Sequence, residues 1–499
     1  MSLGRRRTTH QGELFLTSAD LPPSPGHPFY DRLNRLLADA DFDRFVEDLC
    51  APHYAADVGR PSLPPGTYFR MLFVGYFEGL DSQRGIAWRC ADSASLRAFL
   101  GLPPTQPSPD HSTLSKVRDR LPQVVHERVF AHVLAIARGE NLLRGKTVAV
   151  DATTLEANAA MRAIVRKDTG EDYKTYLRRL AAEAGMVNPT DDDLRRFDKG
   201  RKKKTSNREW ASATDPDSKI ARMKDGRTRL AYKAEHAVDL DSGLVVAAAI
   251  HPADAGDPAT LVDSVLRAQV NLVRAGSEED VNEAVADKGY HKAEVLADCA
   301  DAGFRTYIPE PKRGPRVWAD KPASWRRATA ANRRRMRGGR GKRLQKRRSE
   351  LVERSFAHVC ETGGGRRTWL RGREKVTKRY LIQVAAFNLG VVMRAVCGVG
   401  KPRMLQGAGR AVFAVVCGWW AVVALWYTRR AGRDKNNLIG GWRGQRPAKE
   451  TLYQRAAILS LAALDPRRSG QSSVVTLTTF GRGTARLDRQ QCPDAPSVS

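Results

Sequence analysis

Three acidic residues of this 499-residue chain stand where carboxylates could do metal chemistry: Asp151, Asp287 and Glu353. The stretch KTVAVDATTL alternates and is rich in β-branched residues, so it reads as a strand ending near Asp151. NEAVAD reads as a short strand ending at Asp287. Glu353 is expected on the first turn or two of a helix that follows an arginine-rich stretch. Carboxylates at strand ends can converge on one point. Such oxygen donors suit Mg²⁺ (or Mn²⁺) without any Cys or His signature. Two ions held about 3.5–4 Å apart would activate a water and relieve charge on the leaving oxygen of a phosphodiester. Taken singly, each acid has an ordinary explanation. A strand-closing Asp forms turns or caps helices, and a Glu early in a helix complements its dipole.

The elements that must position these acids follow from the hydrophobic period. Residues 1–27 are polar and Pro-rich and are expected to be poorly ordered. Residues 28–141 repeat apolar side chains at three- and four-residue intervals and read as a helical domain. Gly79 is expected to close one helix, Asp81–Ser82 to open the next, and Asp110 to cap another. These short helices carry Arg84, Arg89, Lys116, Arg118 and Arg120, which suits DNA docking; a plain packing or dimerisation domain explains them equally well. From 142 to 398 the pattern becomes mixed. RLAYKAEHAVDL and GLVVAAAIHP read as a hairpin joined at Asp241–Ser242–Gly243. ATLVDSVLRAQVNLVRAG and HKAEVLADCADAG read as helices around the NEAVAD strand, and FRTYIP as a last strand. That order predicts an α/β domain with a mixed sheet. A basic, helical insertion spans 160–215 and includes Lys202, Lys203 and Lys204.

Charge then narrows the partners. The chain has 84 Lys plus Arg against 55 Asp plus Glu, a formal net charge of +29. Nucleic acid is the usual polyanion for such a balance, with an anionic membrane surface as the other option. The segment 312–348 carries only Asp320 among its acids and holds Arg333, Arg334 and Arg335. A solvated or disordered loop is its ordinary explanation, but Trp318 and Trp325 amid the charge favour nucleic-acid contact. The seven cysteines form no CxxC pair, which fits a reducing cytoplasm and excludes a zinc knuckle. Residues 399–499 form a C-terminal extension with an apolar run at 411–427 and a tail lacking periodicity from 431. The run is at the lower limit for crossing a bilayer, and burial is favoured over a span.

The blocks around the three acids occur in an order that resembles the DDE transposases of bacterial insertion sequences. GRPSLPPGTYFRMLFVGYFEGL and PDHSTLSKVR resemble the family's N-terminal helical domain. VAVDATTLEANAA resembles its first-acid block, VADKGYHKAE the second, and RRSELVERSFAHV with LRGREKV and LIQVAAFNLGVVMR the third. The resemblance covers roughly residues 59–394. It implies an RNase H-like catalytic domain with Asp151, Asp287 and Glu353 as metal-binding acids. It further implies Arg348 as a phosphate-handling residue, Lys288 beside the second acid, and DNA as substrate. Binding to terminal inverted repeats, metal-dependent strand cleavage and strand transfer by a homodimer on DNA would follow, in a cytoplasmic, nucleoid-associated protein. The chain departs from the family at Gln345, where a Tyr is usual, and at Cys360, where a Lys is frequent. A decayed DNA-binding copy and a nuclease that never joins strands are the rival expectations.

Overall fold

The computed structural model describes residues 26–405, apart from 56–58, 60, 61, 104, 202–204, 224, 313, 315 and 316. Lys202–Lys204, residues 1–25, the apolar run 411–427 and the rest of the C-terminal extension beyond 405 lie outside the described residues.

Seven helices come first: α1 (Pro28–Asp39), α2 (Phe42–Cys50), α3 (Pro65–Glu78), α4 (Gln83–Asp92), α5 (Ala94–Phe99), α6 (His111–Arg120) and α7 (Gln123–Gly139). Their ends obey local chemistry. Gly79 ends α3 in the left-handed region, the Ser82 hydroxyl accepts the Gly85 N–H, and Asp110 accepts the Ser112 N–H at 2.8 Å.

The sheet follows. In chain order come β1 (Thr147–Glu156), β2 (Ile164–Arg166), α8 (Tyr173–Glu183), α9 (Asp191–Gly200), β3 (Trp210–Ser212), β4 (Lys219–Arg222), β5 (Thr228–Asp239), β6 (Val245–Pro252), α10 (Asp257–Arg274), β7 (Glu283–Ala286), α11 (Ala293–Asp301), β8 (Arg305–Tyr307), α12 (Ala323–Arg337), α13 (Gly339–Phe356) and α14 (Arg373–Cys397). The main sheet runs β4–β5–β1–β7–β8, and β6 also pairs with β5. β4, β6 and β1 are antiparallel to β5, while β1, β7 and β8 are mutually parallel. This is the mixed sheet the pattern predicts. β2 and β3 pair separately, beside α8, so the 160–215 insertion adds a two-stranded sheet whose Trp210, flanked by Tyr173 and Tyr176, joins the main core.

Three expectations change. β1 does not end near Asp151; it continues to Glu156, because β5 goes on pairing with it after β7 has stopped at Val150↔Ala286. Residues 323–337 and 339–348 are helical rather than a loop. Ala, Arg, Lys, Gln and Leu are strong helix formers, and Trp325, Ala328, Met336, Leu344, Leu351 and Val352 give the charged run an apolar side to pack. Glu353 consequently sits late in α13, not in its first turns.

α14 is apolar and 25 residues long, the one described helix with the length and composition to cross a membrane. Here it is a core helix. It packs on α7, α3 and β6, so the N-terminal helices and the sheet share a single hydrophobic core.

Candidate active site

The sheet register brings two of the three acids together. β1 and β7 run parallel up to Val150↔Ala286, and the next step along both strands is Asp151 beside Asp287. Parallel neighbours lie about 4.8 Å apart and point the same way. Asp151 keeps pairing with His236 of β5, so its backbone is fixed. Asp287 leaves the ladder and caps a short 3₁₀ turn, accepting the Gly289 N–H at 2.7 Å. A side chain at 289 would lie 2.9 Å from both the Asp287 and the Asp257 carboxylates, which explains the glycine.

Each oxygen of Asp151 has one donor. Its Oδ1 accepts the Ala152 N–H at 2.8 Å, and its Oδ2 accepts Arg348 Nη1 at 2.6 Å. Burial still pushes its carboxyl above the ordinary Asp value, and the neighbouring negative charge of Asp287 pushes the same way against Ala152 and Arg348. Two like charges forced together in a half-buried notch would be relieved by a cation.

Helix α13 is laid across this end of the sheet by polar contacts that sequence reasoning missed. Gln345 Nε2 donates to both Ala286 O (3.0 Å) and Tyr307 O (2.7 Å), bridging the C-terminal ends of β7 and β8. Its Oε1 accepts Arg348 Nε at 3.2 Å and so aims that guanidinium at Asp151. The departure from the family's Tyr therefore has a structural job. Farther along the helix, Ser355 meets His236 of β5, which is clamped from both ring nitrogens. Ser355 gives its proton to Val352 O, so His236 Nδ1–H donates to Ser355 Oγ (2.9 Å), and Nε2 accepts the Tyr380 hydroxyl (2.8 Å). Burial holds this imidazole neutral, its pKa lowered to about 3, and Phe356 stacks on it at 4.1 Å. Cys360 lies buried in a wide turn at Ala357–Thr362, against Tyr380. A lysine there would bury its ammonium, so position 360 is a core position in this chain.

The remaining predicted residues scatter. Glu353 is exposed on α13 and has no ion-pair partner among the described residues. Five residues along a helix turn the side chain by roughly 140° from Arg348, so it does not share that face. No group of three or more His, Cys, Asp or Glu among the described residues is gathered to hold a metal. Lys288 is exposed beside Asp287. Arg333 is paired with Glu310 at 2.8 Å and Arg335 donates to Thr306 O at 2.9 Å, whereas Arg334 faces solvent. Two of these three arginines thus hold the fold together.

The donor set still fits a hard divalent cation. Mg²⁺ is typically held by one or two carboxylates, with waters and substrate phosphates completing its shell. Asp151 and Asp287 supply that pair.

Two family models match the chain. Residues 18–120 match the model described as Transposase domain (DUF772), and residues 145–389 match the one described as Transposase DDE domain. Comparison with the curated proteins and with the solved structures yields no match.

Proposed function

Because the chain belongs to the DDE transposases, with an RNase H-like α/β fold behind a helical N-terminal region, we propose that it cuts and joins DNA at Asp151 and Asp287. The observation that carries this reading is the register that sets the two carboxylates side by side at the end of the β1–β7 ladder. A bound Mg²⁺ or Mn²⁺ would supply an activated water and charge relief at the leaving oxygen. The protein's own groups divide the remaining work. Asp151 and Asp287 would hold the ion, and Glu353, which points away from the Arg348 face of α13, would join them through a rotation of that helix on DNA binding. Arg348 neutralises Asp151 while no ion is present and turns its guanidinium to a DNA phosphate when Asp151 is engaged. Lys288, Arg334 and Lys202–Lys204 would grip backbone phosphates, which carry no sequence information. In this reading the helices of residues 28–141 recognise the element's terminal inverted repeats, and a homodimer brings two ends together in the cytoplasm, on the nucleoid.

An end-cleavage assay tests it. Purified protein is incubated with labelled DNA carrying the flanking element ends and Mg²⁺ or Mn²⁺, beside Asp287→Ala. Metal-dependent 3′-hydroxyl ends from the wild type alone are expected, followed by strand-transfer products. Equal binding with no cleavage by either protein would point to a decayed copy. Cleavage that never yields joined products would point to a nuclease.

A further inference from the structure

The segment that follows the wide turn after α13 returns along β1 and carries its own chemistry. Gly364 (φ 71°) turns the chain back, and a Cβ at Gly363 or Gly365 would press on the backbone of Val359. Residues 366–371 are then stitched to the outer end of β1 and just past it. The Glu156 N–H donates to Arg366 O at 3.0 Å, and the Thr368 N–H donates to Glu156 O at 2.9 Å. Asn158 Nδ2 donates to Trp369 O at 2.9 Å, and Arg371 Nε donates to Asn158 O at 3.3 Å.

This places a line of cations beside β1. Arg366 Nη1 donates to Thr153 Oγ1 (3.2 Å) and Thr154 O (3.1 Å). Thr153 lies two residues beyond Asp151 on the same face of the strand, roughly 7 Å away. Arg229 and Arg367 meet at Glu156, and Arg371 reaches Asn158. The far edge of the Arg366 guanidinium, Nε and Nη2, is held by a single Glu361 oxygen, with Nε at 2.9 Å. A carboxylate on that edge stands where a phosphate oxygen would bind. Trp369 completes the line. It is 43% exposed, its Nε1 donates to Asp81 at 2.9 Å, and the Arg367 guanidinium lies 4.7 Å from its ring centroid. A large aromatic fixed at its edge, with Arg367 over its ring and 43% of its surface still exposed, is the combination that stacks bases of unpaired nucleic acid. A paired duplex keeps its bases inside and would use the cations alone.

We infer that residues 366–371 form the track for an unpaired stretch of DNA beside the cut: Arg366 takes a backbone phosphate in exchange for Glu361, and Trp369 stacks a base. The inference rests on the transposase reading and adds to it the state of the DNA that the site receives.

Full-length protein is titrated, without metal so that no cleavage intervenes, against a labelled blunt duplex and the same duplex carrying a single-stranded extension. The wild type should prefer the extended DNA. Trp369→Ala should erase that preference, a loss of roughly tenfold on the extended DNA alone on the scale of a single base stack. Trp369→Phe should restore most of it. Glu361→Gln, which frees Arg366 without removing it, should tighten binding because the phosphate no longer displaces a carboxylate, whereas Arg366→Ala should weaken it and flatten its dependence on salt by about one phosphate contact. Thermal melts of each variant identify any that fail to fold. Folded Trp369→Ala that keeps the preference, with Glu361→Gln unchanged in affinity and Arg366→Ala unchanged in salt slope, would overturn the inference while leaving end cleavage by the wild type intact. A wild type that binds neither DNA would overturn the transposase reading itself.

Discussion

Asp151 and Glu235 lie one register step apart on neighbouring strands, since Asp151 pairs with His236 and Ala152 with Glu235. Successive residues of a strand face opposite sides, so the two acids look out of opposite faces of the same sheet. Glu235 is closed. Its side chain is fully buried and accepts from Thr260 Oγ1 (2.7 Å), Tyr290 OH (2.9 Å) and the Ser264 hydroxyl, with Lys233 Nζ at 3.8 Å. Lys233 is itself tied to Asp257 at 2.7 Å. Asp151 is open. Its side chain is 27% exposed, has one donor on each oxygen, and has a second carboxylate beside it. An ionised carboxylate offers about four acceptor positions. Glu235 spends nearly all of them on its own fold, and Asp151 leaves half for something the chain does not contain. Under the proposed function, what distinguishes the working acid from the scaffolding one is unused coordination.

The comparison can be broken at its functional end first. Asp287→Ala should reduce metal-dependent cleavage to background, beyond the ~10–100-fold that losing an outer-shell partner costs, with the thermal melt little changed. Cleavage that persists would show that the open pair is not the site. At the structural end, Glu235→Ala should lower stability by about 3–5 kcal/mol, the scale for breaking a buried charged pair. It leaves Thr260, Ser264, Tyr290 and Lys233 facing an empty position. Urea unfolding reads this directly. A Glu235→Gln protein that melts like the wild type and yet cannot cut DNA would move Glu235 from scaffold to chemistry and dissolve the contrast.

Gln345 sharpens it from a third side, because its amide joins β7, β8 and Arg348. Gln345→Ala frees two buried carbonyls, costing about 1–3 kcal/mol, and lets Arg348 drift from Asp151. Cleavage should fall by roughly 10–100-fold, with added Mn²⁺ recovering part of it. A drop in stability with unchanged cleavage would confine Gln345 to tying the strands.

Much of this was legible in the sequence wherever short-range rules decide. Asp241–Ser242–Gly243 makes the predicted hairpin because Gly243 takes φ 78°, and Asp110 caps α6 as expected. Asp151 and Asp287 were visible as acids at strand positions, but what makes them a pair is the parallel β1–β7 register, which joins segments far apart in the chain. In the arginine-rich 312–348 segment charge says where solvent is, not which backbone state the residues prefer, so the helices from Ala323 onward are not legible there. The same charge hides the start of α13 at Gly339, which is what puts Glu353 late in its helix. Arg366 and Trp369 had no local signature. Their meaning comes from the return of the chain along β1, which nothing within a few residues of either encodes.

The smallest expected effect bears most directly on what openness costs. The Asp151 carboxyl is raised above its ordinary value by burial and by Asp287. An acid with a higher pKa in the fold than in the unfolded chain takes up its proton first in the fold. Stability therefore increases as pH falls through the folded pKa, and at neutral pH the ionised form is a net burden. Asp151→Asn removes that burden while keeping an oxygen for Ala152 N–H or Arg348. At neutral pH and without metal, its melting temperature should match the wild type or slightly exceed it. Any advantage should disappear as the pH is lowered and the wild type gains its proton. Added Mg²⁺ should reverse the order, since a ligand that binds only the folded wild type at about 100 times its Kd stabilises it by about 2.7 kcal/mol. An Asn variant that melts well below the metal-free wild type would mean that the Arg348 ion pair outweighs burial, and that Asp151 serves the fold much as Glu235 does.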